Sequence, residues 1–171
     1  MDSSSRTVEI VALLVSPVHA FEGRPADGPA PEPAGTARDH VTVRAGLGLV
    51  GDRYFNQAAH RRAAVTVFDA AALDPFGAPD PHLTRRNIVL RGFRIDELAA
   101  GRDRPGALFS LDSGDGPVRL QAFRPANPCA WMDVSVGPGA FRGLRGRGGV
   151  RCGPLDDGVL RLGPATLTVH R

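Results

Sequence analysis

The chain has 171 residues, 42% of them hydrophobic, which is enough to bury one sizeable core and makes a single domain the expectation. All 21 of its basic residues are arginine and the formal net charge is only +3. Without lysine, an internal aldimine with pyridoxal phosphate and a Walker-A phosphate loop are both excluded, because each needs a primary amine on a flexible stem. A charge this small also disfavours nucleic acid as a partner.

Residues 1–7 are polar and read as a disordered N-terminus, with the domain running from 8 to 171. VEIVALLVSPV (8–18) is β-branched and apolar, as in a buried strand. Its apolar run of about eight residues falls far short of the ~20 that cross a membrane, and no basic segment precedes it, so a soluble, cytoplasmic protein with no membrane partner is expected. RPADGPAPEPAGTARD (24–39) holds four prolines and reads as an exposed loop inside the domain. HVTVRAG resumes a strand, and AAVTVFDAAALD (63–74) reads as a strand passing into a short helix. RRNIVLRG is again a strand, RIDELAAG a helical turn, and GALFSL with PVRLQAF a strand pair. NPCAWMDVS and GPGAFRGLRG read as two short helices. GGVRCG, GVLRLG and ATLTVHR are strand-like, and Asp157-Gly158 suggests a hairpin turn between the first two. Closely spaced strands with glycine and proline punctuation predict a mainly β fold, an antiparallel or mixed barrel with a few short helices.

GLGLVG (46–51) follows a strand and is a literal G-x-G-x-x-G, but no long helix and no repeated βαβ unit follow it. Its glycines are better explained by tight turns and close backbone approach at a barrel rim. The next residues, GDRYF, place Asp52 and Arg53 where backbone amides can face an anion, or simply in a salt-bridged loop. Arg85, Arg86 and Asn87 stand before an apolar strand, and strand alternation puts Arg85 and Asn87 on one face. A guanidinium beside a carboxamide suits a ligand with phosphate and heterocyclic amide edges, while a solvated strand start is the plain alternative.

Two cysteines without flanking Cys or His pairs form neither a disulfide framework nor a zinc site. In RPANPCAWMD, Asn127 is a good N-cap and Pro128 a favoured first helical residue, placing Cys129 at the second. Orphan backbone N–H groups, the helix dipole and nearby Arg124 would all favour a thiolate there. Such a sulfur is a soft-metal ligand or a nucleophile; the alternative is a small buried residue beside Trp131 and Met132. None of the five histidines forms a recognisable Cys/His pair with it. Cys152 lies in a strand-like segment and reads as an ordinary core residue.

Taken in order, GLGLVGDRYF, AAVTVFDAAAL, RRNIVLRGFRIDEL, GALFSL, FRPANPCAWMD, LRGRGGVR and GVLRLG resemble a MOSC domain of the stand-alone bacterial type, a family named for the C-terminal domain of molybdenum cofactor sulfurases. The resemblance runs from about residue 8 to the C-terminus. It implies a barrel-like fold that binds molybdenum-pyranopterin cofactor, with Cys129 as the metal ligand and catalytic sulfur. It further implies that Arg85 and Asn87, matching an Arg-x-Asn element, contact pterin and phosphate, with Asn127 and, more loosely, Arg53 as cofactor-binding neighbours. The family's amidoxime-reducing members carry an extra N-terminal β domain that this sequence does not match, and a polar residue and arginine where this chain has Asn-Pro before the cysteine. The expected function is reduction of N-hydroxylated substrates or carriage of sulfur or cofactor, with an electron-donor protein or cofactor-dependent enzyme as partner. A non-catalytic cofactor-storage or regulatory module is the alternative.

Overall fold

A computed structural model describes residues 3–171. Its strands are β1 (Ser3–Leu14), β2 (Ala37–Arg38), β3 (His40–Arg44), β4 (Gly48–Leu49), β5 (Val65–Asp69), β6 (Ile88–Arg91), β7 (Leu108–Asp112), β8 (Val118–Pro125), β9 (Val150–Pro154), β10 (Gly158–Arg161) and β11 (Gly163–His170). Two short helices, α1 (Trp131–Ser135) and α2 (Ala140–Gly143), lie between β8 and β9. Seven strands close on themselves in the order β11-β7-β8-β9-β5-β6-β1, and β1 pairs back onto β11. Among the described residues only β5 and β6 pair in parallel; the 3-10 turns Ala70–Phe76 and Pro81–Thr84 lie between them. The result is the mixed, mainly β barrel that the strand spacing predicts.

Closure comes in part from residues read as disordered. Ser3–Thr7 are not free: they extend β1, and Ser3 pairs opposite His170 at the start of a continuous antiparallel ladder. Polar side chains do not prevent this, because the ladder is made by backbone groups, and a barrel without this pairing would leave β11 with an open edge. Met1 and Asp2, the rest of that segment, lie outside the described residues.

Patterning follows from two layers around the same wall. Val8, Ile10, Leu13, Val65, Val67, Ile88, Leu90, Phe109, Leu111, Leu120 and Val150 fill the barrel interior. On the outer side, Ala12, Phe68 and Val89 pack with Leu73 of the Ala70–Phe76 turn, Met132 of α1 and Ala140 of α2. β5 is therefore covered on both faces, and all five of its residues are buried. This is why 65–68 shows no clean alternation. Burying a side chain such as Phe68 contributes about 2–3 kcal/mol relative to exposure.

Asp157-Gly158 does not form the expected hairpin. β9 pairs with β5 and β8, whereas β10 leaves the barrel to pair with β3 in a separate sheet of order β10-β3-β4. Asp157 accepts a hydrogen bond from Ala45 N at 2.8 Å, tying the departing chain to the end of β3. The dipeptide serves a change of sheet, since Val41, Val43, Leu49 and Leu160 find apolar cover only by joining the barrel core.

Candidate functional site

One cleft of about 310 Å³ gathers most of the chemistry the sequence singled out. Arg53, Arg85, Asn127 and Cys129 line it, together with Arg86, Arg151 and the aromatic residues His19, Phe21, Tyr54 and Trp131. Asn87 does not.

The run 85–87 has three separate fates, and local backbone explains them. Asp80 caps the 3-10 turn Pro81–Thr84 through His82 N at 2.9 Å, and the turn ends with Arg85 in the left-handed region at φ 55°. That reversal takes Arg85 out of any strand, since β6 begins only at Ile88, so it cannot share a strand face with Asn87. Arg85 turns into the cleft, where its Nε donates to Glu32, its Nη2 donates to Val18 O at 2.9 Å, and its guanidinium lies 5.6 Å from the Phe21 ring. Desolvation pulls the Arg85 pKa below its ordinary value, and the pair with Glu32 offsets part of this.

Asn87 is a buried knot instead. Its Oδ1 accepts from Thr66 N at 2.9 Å and from Thr66 Oγ1 at 3.0 Å, while its Nδ2 donates to Leu14 O at 3.1 Å and Asp52 Oδ1 at 3.3 Å. Asp52, buried in its turn, also accepts from Ser16 N and Tyr54 N and lies 3.5 Å from Arg53 Nη1. Asn87 thus reaches the cleft only through its partners: Thr66, which lines it, and Asp52, which lies behind Arg53.

Arg86 and Arg151 are cleft residues that the sequence did not single out. Strand alternation assigned Arg86 to the face away from Arg85, but the break at Arg85 removes that constraint. Arg86 donates to Gly148 O at 3.0 Å, to Ala126 O at 3.1 Å and to Asn127 O at 3.5 Å, and so holds the segment leading into Cys129. Burial, and then the nearby Arg151 charge, push its pKa down to about 10. Two glycines permit this approach: a Cβ on Gly148 would fall 2.1 Å from Ala126 O, and Gly149, at φ 93°, would meet Val67 O at 2.4 Å. Asp96 fixes the same segment by accepting from Gly149 N at 2.8 Å. Arg151 sits opposite Thr66 in the β5–β9 pairing, its pKa lowered by burial and by Arg124.

Cys129 is exposed at this cleft and Cys152 is buried in the wall, both as free thiols. The helical setting expected for Cys129 is absent, however. α1 begins at Trp131 with Ala130 before it, no side chain caps it, and it is only five residues long. Asn127 therefore lines the cleft without acting as an N-cap, and Arg124 lines a neighbouring depression with His60, Arg62 and Phe123. Asn-Pro reads as a helix start from local preference, whereas here Ala126 N is committed to Gly149 O at 2.9 Å, which keeps the chain extended into the loop. The sulfur shares its cleft with Arg53, Arg85, Arg86 and Arg151, and these give it positive surroundings.

Charge in the cleft is unbalanced. Four guanidinium groups line it, and the carboxylates that meet them are Asp52, behind Arg53, and Glu32, on Arg85. Among the described residues no carboxylate pairs with Arg86 or Arg151, and the buried Nη1 of Arg53 has no hydrogen-bond partner. Arg53 stacks 4.7 Å from the Tyr54 ring, itself packed against His19 and His60, and Phe21 lies parallel to Trp131 at 5.2 Å. The arrangement suits a flat ligand carrying at least one anionic group. Among the described residues no group of three or more His, Cys, Asp or Glu could hold a metal ion.

No family model and no curated protein sequence matches the chain. Solved structures do. The YuaD protein from Bacillus subtilis superposes with a TM-score of 0.70 at 14% identity, covering 99% of this chain and 100% of that one. YiiM from Geobacillus stearothermophilus gives 0.60 at 16% identity, over 96% of this chain and 75% of that one. YiiM from Escherichia coli gives 0.56 at 14%, over 96% and 69%. The fold is MOSC-like. In the MOSC-like frame the cleft lies where α1, the loop before it and the loop before β6 meet the ends of β5 and β9. Among the described residues no helix is long and apolar enough to cross a membrane.

Proposed function

We propose that the cleft binds molybdenum-pyranopterin cofactor. In this reading the Cys129 sulfur ligates the metal, Arg53, Arg86 and Arg151 hold the phosphate, and Arg85 and Asn127 offer polar contacts to the heterocycle. Asn87 acts indirectly, by fixing Asp52 and so orienting Arg53. The observation that carries the reading is an exposed sulfur sharing an aromatic-lined cleft with two guanidinium groups that pair with no carboxylate among the described residues, Arg86 and Arg151, and with Arg53, whose buried Nη1 lies 3.5 Å from Asp52 yet makes no hydrogen bond. A buried N–H left without an acceptor costs roughly 1–3 kcal/mol, and an anionic oxygen would relieve it.

When bound, the cofactor supplies two-electron redox chemistry at the metal. The protein's own groups position it, lower its charge and limit its exposure to water. Reduction of N-hydroxylated substrates, with electrons from a donor protein, is the activity this supports; carriage of sulfur or cofactor to a dependent enzyme uses the same residues. The test is metal and pterin analysis of protein purified from a host that makes the cofactor. Wild type is expected to carry molybdenum and pterin, and Cys129→Ala to lose most of the metal. Equal metal in both, or none in either, defeats the assignment. Bound cofactor without reductase activity in the wild type favours the storage or carrier role.

A further inference from the structure

The proline-rich segment between β1 and β2 sends one carboxylate onto Arg85, a residue that lines this cleft. Glu32 accepts from Arg85 Nε through one oxygen and from Ser16 Oγ at 2.6 Å through the other. Both partners also touch Val18 O, so Glu32 closes a small ring of contacts where β1 runs into the loop. Burial alone would raise its pKa, but Ser16 and Arg85 hold it below the usual 4.5.

Apart from this contact the segment is lightly held. None of residues 21–35 is fully buried. Its other ties include a backbone bond from Ala30 N to Ala20 O at 2.8 Å, a bond from Thr36 Oγ1 to Pro33 O at 2.8 Å, the stacking of Phe21 on Trp131 and under the Arg85 guanidinium, and contact of the turn Pro25–Asp27 with α1. A strap with few buried contacts opens at low cost. The two ends of the cleft therefore differ: Arg86 and Arg151 stand without a carboxylate, whereas Arg85 already has one.

We propose that Glu32 is a specificity-determining residue of the cleft: as a resident counter-anion on Arg85, it restricts the latched cleft to ligands with one anionic group, at the Arg53, Arg86 and Arg151 end, and a second anionic group enters only by displacing the strap. The proposal rests on the anion-binding reading of the cleft and names the ligand charge it selects. Substitution of Glu32 frees Arg85 without touching the barrel core, so folding is not at issue.

The test titrates inorganic phosphate and pyrophosphate into the full chain, followed by calorimetry and by the emission of Trp131, the single tryptophan. Wild type is expected to bind the two anions with similar affinity. Glu32→Gln is expected to bind pyrophosphate about tenfold tighter, the scale of one added charge-assisted hydrogen bond, and phosphate within about twofold of wild type. Adding Arg85→Gln to Glu32→Gln should abolish the gain, and Glu22→Gln, an exposed change in the same segment, should produce none. Pyrophosphate binding that is unchanged or weaker in Glu32→Gln overturns the proposal, because Glu32 then merely organises Arg85. Absence of binding of either anion to either protein overturns the anion-binding reading and this proposal with it.

Discussion

The barrel wall and the cleft mouth each hold one cysteine and one asparagine, and the two pairs behave as different chemistry. In the wall, Cys152 is wholly enclosed between β5 and β8, and burial pushes its thiol well above the ordinary range. Asn87, on the other side of β5, is saturated with hydrogen bonds to β1, β5 and Asp52. At the mouth, Cys129 and Asn127 are exposed on a loop anchored from behind by Arg86. The same side chains therefore serve packing in one place and availability in the other. What separates them is not residue type but whether the neighbouring backbone consumes their hydrogen-bonding capacity.

The sharpest way to break this comparison is alkylation of the native protein with iodoacetamide. Cys129 is expected to react faster than Cys152 by a factor on the order of a hundred or more, so mass spectrometry should find one adduct, lost in Cys129→Ala, until denaturant is added. Comparable rates at the two sites would erase the distinction. Next in size is Asn87→Ala, which strands Thr66 N and Leu14 O; it should lower unfolding stability by about 2–4 kcal/mol in urea, against about 0.5 kcal/mol or less for Asn127→Ala. Cys152→Ser places a hydroxyl in an apolar site and should cost about 1–3 kcal/mol, while Cys129→Ser should leave the midpoint unchanged. The smallest effect concerns the strap. Because the folded pKa of Glu32 lies below its unfolded value, its contribution is present above about pH 4.5 and is lost as pH falls through the folded value. With the pair partly exposed this amounts to less than about 1 kcal/mol, visible as a slightly shallower acid limb of stability in Glu32→Gln.

Much of the wall was legible because it depends on local rules. The pattern of 63–74 yields β5 and the turn Ala70–Phe76, and GALFSL with PVRLQAF yields the β7–β8 pair. The cleft was legible only in part. Cys129, Arg53, Arg85 and Asn127 do line it, but the face shared by Arg85 and Asn87 assumed a strand that the left-handed turn at Arg85 interrupts. Arg86 and Arg151 carried no local signal, because a single arginine in or before a strand is as common on a solvated face as in a cleft. Glu32 was hidden in a segment whose composition suggests only an exposed loop.

Composition and periodicity by themselves determined that this chain builds a β barrel with short helices, that lysine chemistry is excluded, and that one of its two cysteines lies outside a strand. Tertiary structure alone decided that Ser3–Thr7 close the barrel, that β10 changes sheet at Gly158, and that Glu32 meets Arg85 across the sequence. The division has a physical cause. Strand and turn preferences act over a few residues and can be read along the chain, whereas the pairing of charges and the closure of a sheet depend on groups brought together only when the core excludes water.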